Sequence, residues 1–135
     1  MNGDNHGDAV RRRLRHTRWI GGGSGAGKST IARRLAKQYG RQVYSTDDMM
    51  ADHVHRLGPD ESRFMHQFIN MSMDDRWLNR SPELMRDTFH WFRGEGFHLI
   101  IEDLLARSGE PCIVEGFRLL PDLLKPLLID TSQAV

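Results

Sequence analysis

Apolar residues in this chain of 135 residues fall into short runs separated by stretches with helical spacing. The runs at 19–20, 41–46 and 111–114 are typical of short strands. Between the first two, residues 29–39 carry apolar side chains on one predicted helical face, and Gly40 follows as a stop. The members of that face are Ile31, Ala32, Leu35, Ala36 and Tyr39. This order of strand, helix and strand predicts an α/β fold with a mainly parallel sheet.

Helical spacing also dominates the long stretch between the second and third predicted strands. One helix is expected to start at Asp60, and a second at Ser81, where a capping serine precedes a proline in the first turn. The second extends to a break at 94–96, and a further helical stretch stops at 108–109. The sequence therefore predicts a helical insert at about 49–109.

A glycine-rich segment, residues 22–29, follows the first predicted strand. It fits the phosphate-binding pattern G-x-x-x-x-G-K-[ST] at every fixed position. Lys28 suits the β- and γ-phosphates, and the hydroxyl of Ser29 suits Mg²⁺. A flexible glycine turn is the alternative, but it does not require a lysine and a serine at that offset. The predicted nucleotide contacts are Gly22, Gly23, Ser24, Gly25, Ala26, Gly27, Lys28, Ser29 and Thr30.

Acidic residues end the second and third predicted strands. Asp47 and Asp48 follow one strand and Glu115 ends the other, so all should lie at the carboxyl edge of the sheet with the glycine loop. Asp47 could accept a proton from an attacking hydroxyl, and Glu115 could hold Mg²⁺. The alternatives are an N-cap for Asp47 and a salt bridge for Glu115. Arg118 could contact a phosphate group or pair with Glu115.

Composition narrows the class of protein. A net charge of +1 gives no field that would favour nucleic acid, and no apolar stretch approaches the ~20 residues of a membrane span. The single cysteine, Cys112, lies in an apolar run and indicates a core side chain in a reducing compartment. We therefore expect a cytoplasmic protein. Residues 1–16 predict a mobile basic tail, followed by one domain over 17–135.

The insert offers weaker candidates. Arg56 could bind an anionic acceptor, although a solvent-facing role is the commoner one for such an arginine. His53 and His55 alternate along the chain, but further ligands at diagnostic spacing are absent from the sequence, which disfavours a metal site.

The glycine loop, the acids after the second strand and Val114-Glu115-Gly116 together resemble the P-loop kinases of small molecules, nucleosides and nucleotides. That resemblance implies a three-layer α/β/α P-loop NTPase core, ATP as phosphoryl donor and Mg²⁺. It implies Lys28 at the β- and γ-phosphates, Ser29 at Mg²⁺, Asp47 as the base or acceptor-orienting group, and Glu115 at the acceptor or the metal. With the residues argued above, the predicted catalytic set is Lys28, Asp47 and Glu115, and the predicted metal ligands are Ser29 and Glu115. The predicted contacts of a small hydroxylated or phosphorylated acceptor are Asp47, Asp48, Arg56 and Arg118.

Such kinases continue past the third strand with further strands and an arginine-bearing lid, whereas this sequence ends at Val135, where a strand is expected to start. The predicted core is therefore incomplete. One alternative to a kinase is a nucleotide-binding module without transfer activity. The other is a P-loop ATPase or GTPase, which is disfavoured because the sequence lacks an N-K-x-D tetrapeptide.

Overall fold

The computed structural model describes residues 2–22, 27–79, 81–83, 94–107 and 111–135. In chain order its elements are α1 (Asn2–Arg13), β1 (Arg18–Ile20), α2 (Lys28–Tyr39), β2 (Gln42–Ser45), α3 (Met50–Arg56), α4 (Arg63–Ile69), α5 (Met73–Trp77), α6 (Phe97–Ala106), β3 (Cys112–Glu115), α7 (Pro121–Leu124) and the 3-10 turns Lys125–Leu127 and Thr131–Gln133. They form two compact units. The first comprises Met1–Asp47 with His98–Val135, and the second comprises Asp48–Phe97.

A parallel sheet with the order β1, β3, β2 is the frame of the first unit. β3 lies in the centre, so Ile20 of β1 and Ser45 of β2 both stand level with Glu115. Beyond β1, Val135 accepts a hydrogen bond from the amide of Gly21 at 2.9 Å, and Trp19 and Ala134 form a parallel bridge. The predicted α/β fold with a parallel sheet is confirmed.

The core of the first unit forms where α2 packs on the sheet. Ala32 and Ala36 are buried against Ile20 and Ile113, because small side chains let the helix approach the strands closely. The predicted apolar face of α2 is too wide, since Ile31 is 48% exposed and Tyr39 is 63% exposed.

The N-terminal segment differs from the predicted mobile tail, because residues 2–13 form α1. Two of its arginines donate to carbonyl oxygens of distant elements: Arg11 to Pro126 at 3.1 Å and Arg13 to Leu105 at 2.9 Å. Leu14, just past the helix, is buried. These two arginines therefore provide donors to backbone carbonyls of other elements.

Side chains from outside α4 hold both of its ends in the second unit. The carboxylate of Glu95 accepts from the amides of Phe64 and Met65 at 3.1 and 2.8 Å. At the other end, Arg76 donates to the carbonyls of Phe68 and Ile69 at 2.9 and 2.7 Å. The stretch between α4 and Ser81 includes the short helix α5. Most of the helix predicted from Ser81 lies outside the described residues.

Candidate functional site

The described part of the glycine loop shows how the chain enters α2. Gly27 precedes the helix with a positive φ of 82°, a conformation that residues with a Cβ rarely adopt. No side-chain hydrogen bond caps this helix start within the described residues, so its first amides suit an anion from outside the helix. Lys28, at the first position, is only 7% exposed. The predicted contacts at 23–26 lie outside the described residues.

Ser29 in α2 and Glu115 at the end of β3 lie next to each other. The Ser29 hydroxyl donates to Oε1 of Glu115 at 3.0 Å, and Glu115 is 1% exposed. Its other oxygen, Oε2, is buried without a hydrogen-bond partner among the described residues. A buried carboxylate oxygen left unpaired carries a large desolvation cost, which a bound cation would offset. A hydroxyl beside a carboxylate is an oxygen donor set that fits Mg²⁺.

The ends of β2 and β3 pack tightly at the same edge. The amide of Thr46 donates to the carbonyl of Glu115 at 2.9 Å, and Gly116 follows with a φ of 150°. A Cβ at Gly116 would overlap the hydroxyl of Thr46 and would stand 3.4 Å from Oδ1 of Asp47. The missing side chain therefore brings Asp47, which is exposed, directly beside the residue that follows Glu115.

Arg118 also lies at this edge. It is 6% exposed, and its guanidinium donates to the carbonyl of Thr46 at 3.3 Å. Burial lowers the pKa of Arg118, while Tyr44, Asp47 and Asp103 act in the opposite direction. The two roles predicted for Arg118, a phosphate contact or a pair with Glu115, stay predictions.

Sequence reasoning missed the pair of Tyr44 and Asp103. The Tyr44 hydroxyl donates to Oδ2 of Asp103 in α6 at 2.6 Å, and burial together with this carboxylate raises the pKa of Tyr44 well above its usual range. The available signal was an acid on an apolar helical face, since Asp103 is spaced with Leu99 and Ile100.

Other predicted residues lie in the second unit. Asp48 is exposed, and Arg56 donates to Asp52 one turn earlier in α3 at 3.3 Å. His53 is fully buried whereas His55 is exposed, so they do not form a shared site. The described residues contain no group of three metal-ligating side chains.

Two further features concern the whole described chain. Cys112 is free and buried, and burial raises the pKa of its thiol. None of the described helices has the length and apolar character needed to cross a membrane.

Comparison with known proteins gives one family match. A family model described as an AAA domain matches residues 21–91, which is more than half of the chain. The match spans the glycine loop, Asp47 and most of the second unit. Neither the curated proteins nor the solved structures contain a significant match. With its glycine loop leading into α2 beside a parallel sheet, the chain belongs to this AAA domain family and is a P-loop nucleotide-binding domain.

Proposed function

We propose that this domain is a kinase that transfers the γ-phosphoryl group of ATP to a small hydroxylated or phosphorylated acceptor. The observation that carries the proposal is the grouping of Asp47 with the Ser29 and Glu115 pair at one edge of the sheet. Thr46 joins them, because its amide binds the carbonyl of Glu115 and its neighbour is Asp47. Nucleotide binding alone requires the glycine loop with the Ser29 and Glu115 pair, and does not require Asp47. An exposed carboxylate beside it is what transfer to a hydroxyl requires.

On the donor side, the loop amides and the start of α2 bind the phosphates, and Lys28 contacts the β- and γ-phosphates. Because Lys28 is largely buried, its charge acts through less water than that of a surface lysine. Ser29 and Glu115 would hold Mg²⁺, which supplies neutralisation of phosphate charge when bound.

On the acceptor side, Asp47 orients the attacking hydroxyl. The acceptor oxygen forms a bond to the γ-phosphorus, and the bond from that phosphorus to the bridging oxygen of ADP breaks. The hydroxyl proton moves to the carboxylate of Asp47, which later releases it to water. The products are ADP and the phosphorylated acceptor.

Binding is tested first, by isothermal titration of ATP with Mg²⁺ into the wild type, Lys28→Ala and Lys37→Ala. Both lysines lie on α2, but Lys37 is in its last turn and exposed. We expect Lys28→Ala to weaken binding by about 100-fold or more, because it removes a buried cation from the phosphates. Lys37→Ala should bind as the wild type does. Equal affinity of all three proteins would contradict the phosphate site.

Transfer is tested by ADP release across a panel of small alcohols, sugars and phosphate monoesters. Asp47→Asn should lower turnover by about 100-fold or more while ATP affinity stays the same, because it removes a proton acceptor and leaves the loop intact. Asp122→Asn, an exposed acid in α7, is the matched control. If ATP binds but no acceptor stimulates ADP release, the domain is a nucleotide-binding module without transfer activity.

A further inference from the structure

Arg118 is unusual for an arginine at a ligand-binding edge, because it is almost wholly inside the protein. Its neighbours Phe117 and Leu119 are also buried, at 8% and 3% exposed, so the turn after β3 is anchored on both sides of the guanidinium. The side chain crosses from the end of β3 to the end of β2, where it donates to the Thr46 carbonyl. Arg118 is therefore held in one place before any ligand arrives.

Two carboxylates act on this guanidinium from different elements. Asp47 follows β2 and is exposed, whereas Asp103 lies on α6 and is partly buried. Both favour the charged form of Arg118, although burial outweighs them and its pKa is lowered overall. An arginine remains protonated despite such a shift. Each carboxylate thus reduces the cost of burying the charge.

Asp103 is itself fixed. It accepts the short hydrogen bond from Tyr44 of β2, and the guanidinium of Arg107 stacks 5.1 Å from the centre of the Tyr44 ring. Arg107 also interacts with the thiol of Cys112, the first residue of β3, so it acts at the opposite end of that strand from Glu115. Asp103 is thus held by a hydrogen bond, and its charge and that of Asp47 both act on Arg118, which binds the carbonyl of Thr46 next to Asp47.

We propose that Arg118 is a positioning residue, which Asp103 and the Thr46 carbonyl hold in place and which keeps the carboxylate of Asp47 ionised and oriented at the acceptor edge. The catalytic meaning of this arrangement rests on the kinase proposal above, since it assigns Asp47 the acceptor hydroxyl. Arg118 is buried and binds a backbone carbonyl, so it acts through Asp47 rather than as a direct ligand of the acceptor. Its effect on Asp47 exists in the ligand-free protein.

The test follows the side-chain carboxyl carbon of Asp47 by NMR against pH in the ligand-free protein. In Arg118→Gln, which keeps a donor near Thr46 but loses the charge, the titration midpoint should rise by about half a pH unit or more. Arg118→Lys keeps the charge and should restore at least half of that difference. Arg34→Met removes an exposed positive charge of α2 and should leave the midpoint unchanged. The same midpoint in wild type and Arg118→Gln, or equal rises in the Gln and Lys variants, would overturn the proposal.

Asp103→Asn provides a second measurement, which also serves if Arg118→Gln does not fold. Without the Asp103 charge, hydrogen exchange of the Arg118 side-chain N–H, measured by NMR, should accelerate several-fold. An unchanged exchange rate would overturn the role of Asp103. Both measurements are made without ATP or acceptor, so they can succeed even if the protein transfers no phosphate. If the NMR results are as expected but the protein transfers no phosphate, only the kinase proposal is refuted.

Discussion

The two units of this protein use their polar residues differently. In the first, arginines such as Arg13 also bind backbone carbonyls, but Ser29 at the start of α2 meets Glu115 and Thr46 at strand ends within one hydrogen-bonded edge. In the second, described polar residues secure short helices, as Glu95 and Arg76 do at the two ends of α4. Polar side chains near a ligand edge are thus candidates for chemistry, whereas those at the ends of short helices substitute for missing backbone partners.

Helix length explains part of this difference. α2 has 12 residues and a continuous face of small residues on the sheet. By contrast, α3 and α4 have 7 residues each and α5 has 5. A helix of two turns leaves most of its terminal amides and carbonyls without partners in the helix. Its stability therefore depends on caps supplied by other residues.

The largest expected effect comes from Gly116→Ala in the first unit. The new Cβ would overlap the Thr46 hydroxyl in a backbone conformation unsuited to alanine, so the free energy of unfolding should fall by about 2 kcal/mol or more. ATP affinity should fall as well, because the Glu115 edge must shift. Urea denaturation and isothermal titration measure the two quantities.

Gly58→Ala, in the second unit, is the matched control for Gly116→Ala. A Cβ there makes only an ordinary contact, 3.9 Å from Oε1 of Glu61. Its unfolding free energy should stay within about 0.5 kcal/mol of the wild type. If both alanine variants lose the same free energy of unfolding, the close approach of Gly116 to Thr46 does not explain the effect at this edge of the sheet.

The sequence was most informative where a motif depends on backbone geometry. The glycine loop predicted a helix directly after it, over 29–39, and α2 spans Lys28–Tyr39. The acids after apolar runs predicted strand ends, because parallel strands finish at one edge. Asp103 was missed, since its partner Tyr44 is 59 positions away and only the folded chain brings the two side chains together. Arg13 and Glu95 were missed for the same reason: their carbonyl and amide partners lie on other elements. A pattern of local spacing contains none of these long-range contacts.

A smaller effect is expected from Glu95→Ala in the second unit. Two amides at the start of α4 would lose their acceptor, which should cost about 1 to 2 kcal/mol of unfolding free energy. ATP affinity measured by isothermal titration should not change, because the phosphate loop belongs to the first unit. Glu61→Ala, an exposed acid of the same unit, is the control and should be close to neutral in urea denaturation. A fall in ATP affinity in Glu95→Ala would break the division of roles between the two units.

The smallest effect concerns pH and the start of α5. Hydrogen bonds from the Asn79 side chain and from Ser72 lower the pKa of Asp75, which is fully exposed. Because the pKa of Asp75 is lower in the folded state than in the unfolded one, its ionised form stabilises the protein above about pH 4, where an ordinary aspartate is ionised. This contribution is lost as the pH falls through the pKa of Asp75 in the folded state. Asn79→Ala removes the largest cause, so its urea midpoint should fall less than that of the wild type between pH 7 and pH 3. Asp74→Asn tests for a general effect of charge in the same helix. Identical pH dependence in the wild type and Asn79→Ala would mean that the hydrogen bond from Asn79 contributes nothing to folding, leaving Ser72 as the cap of α5.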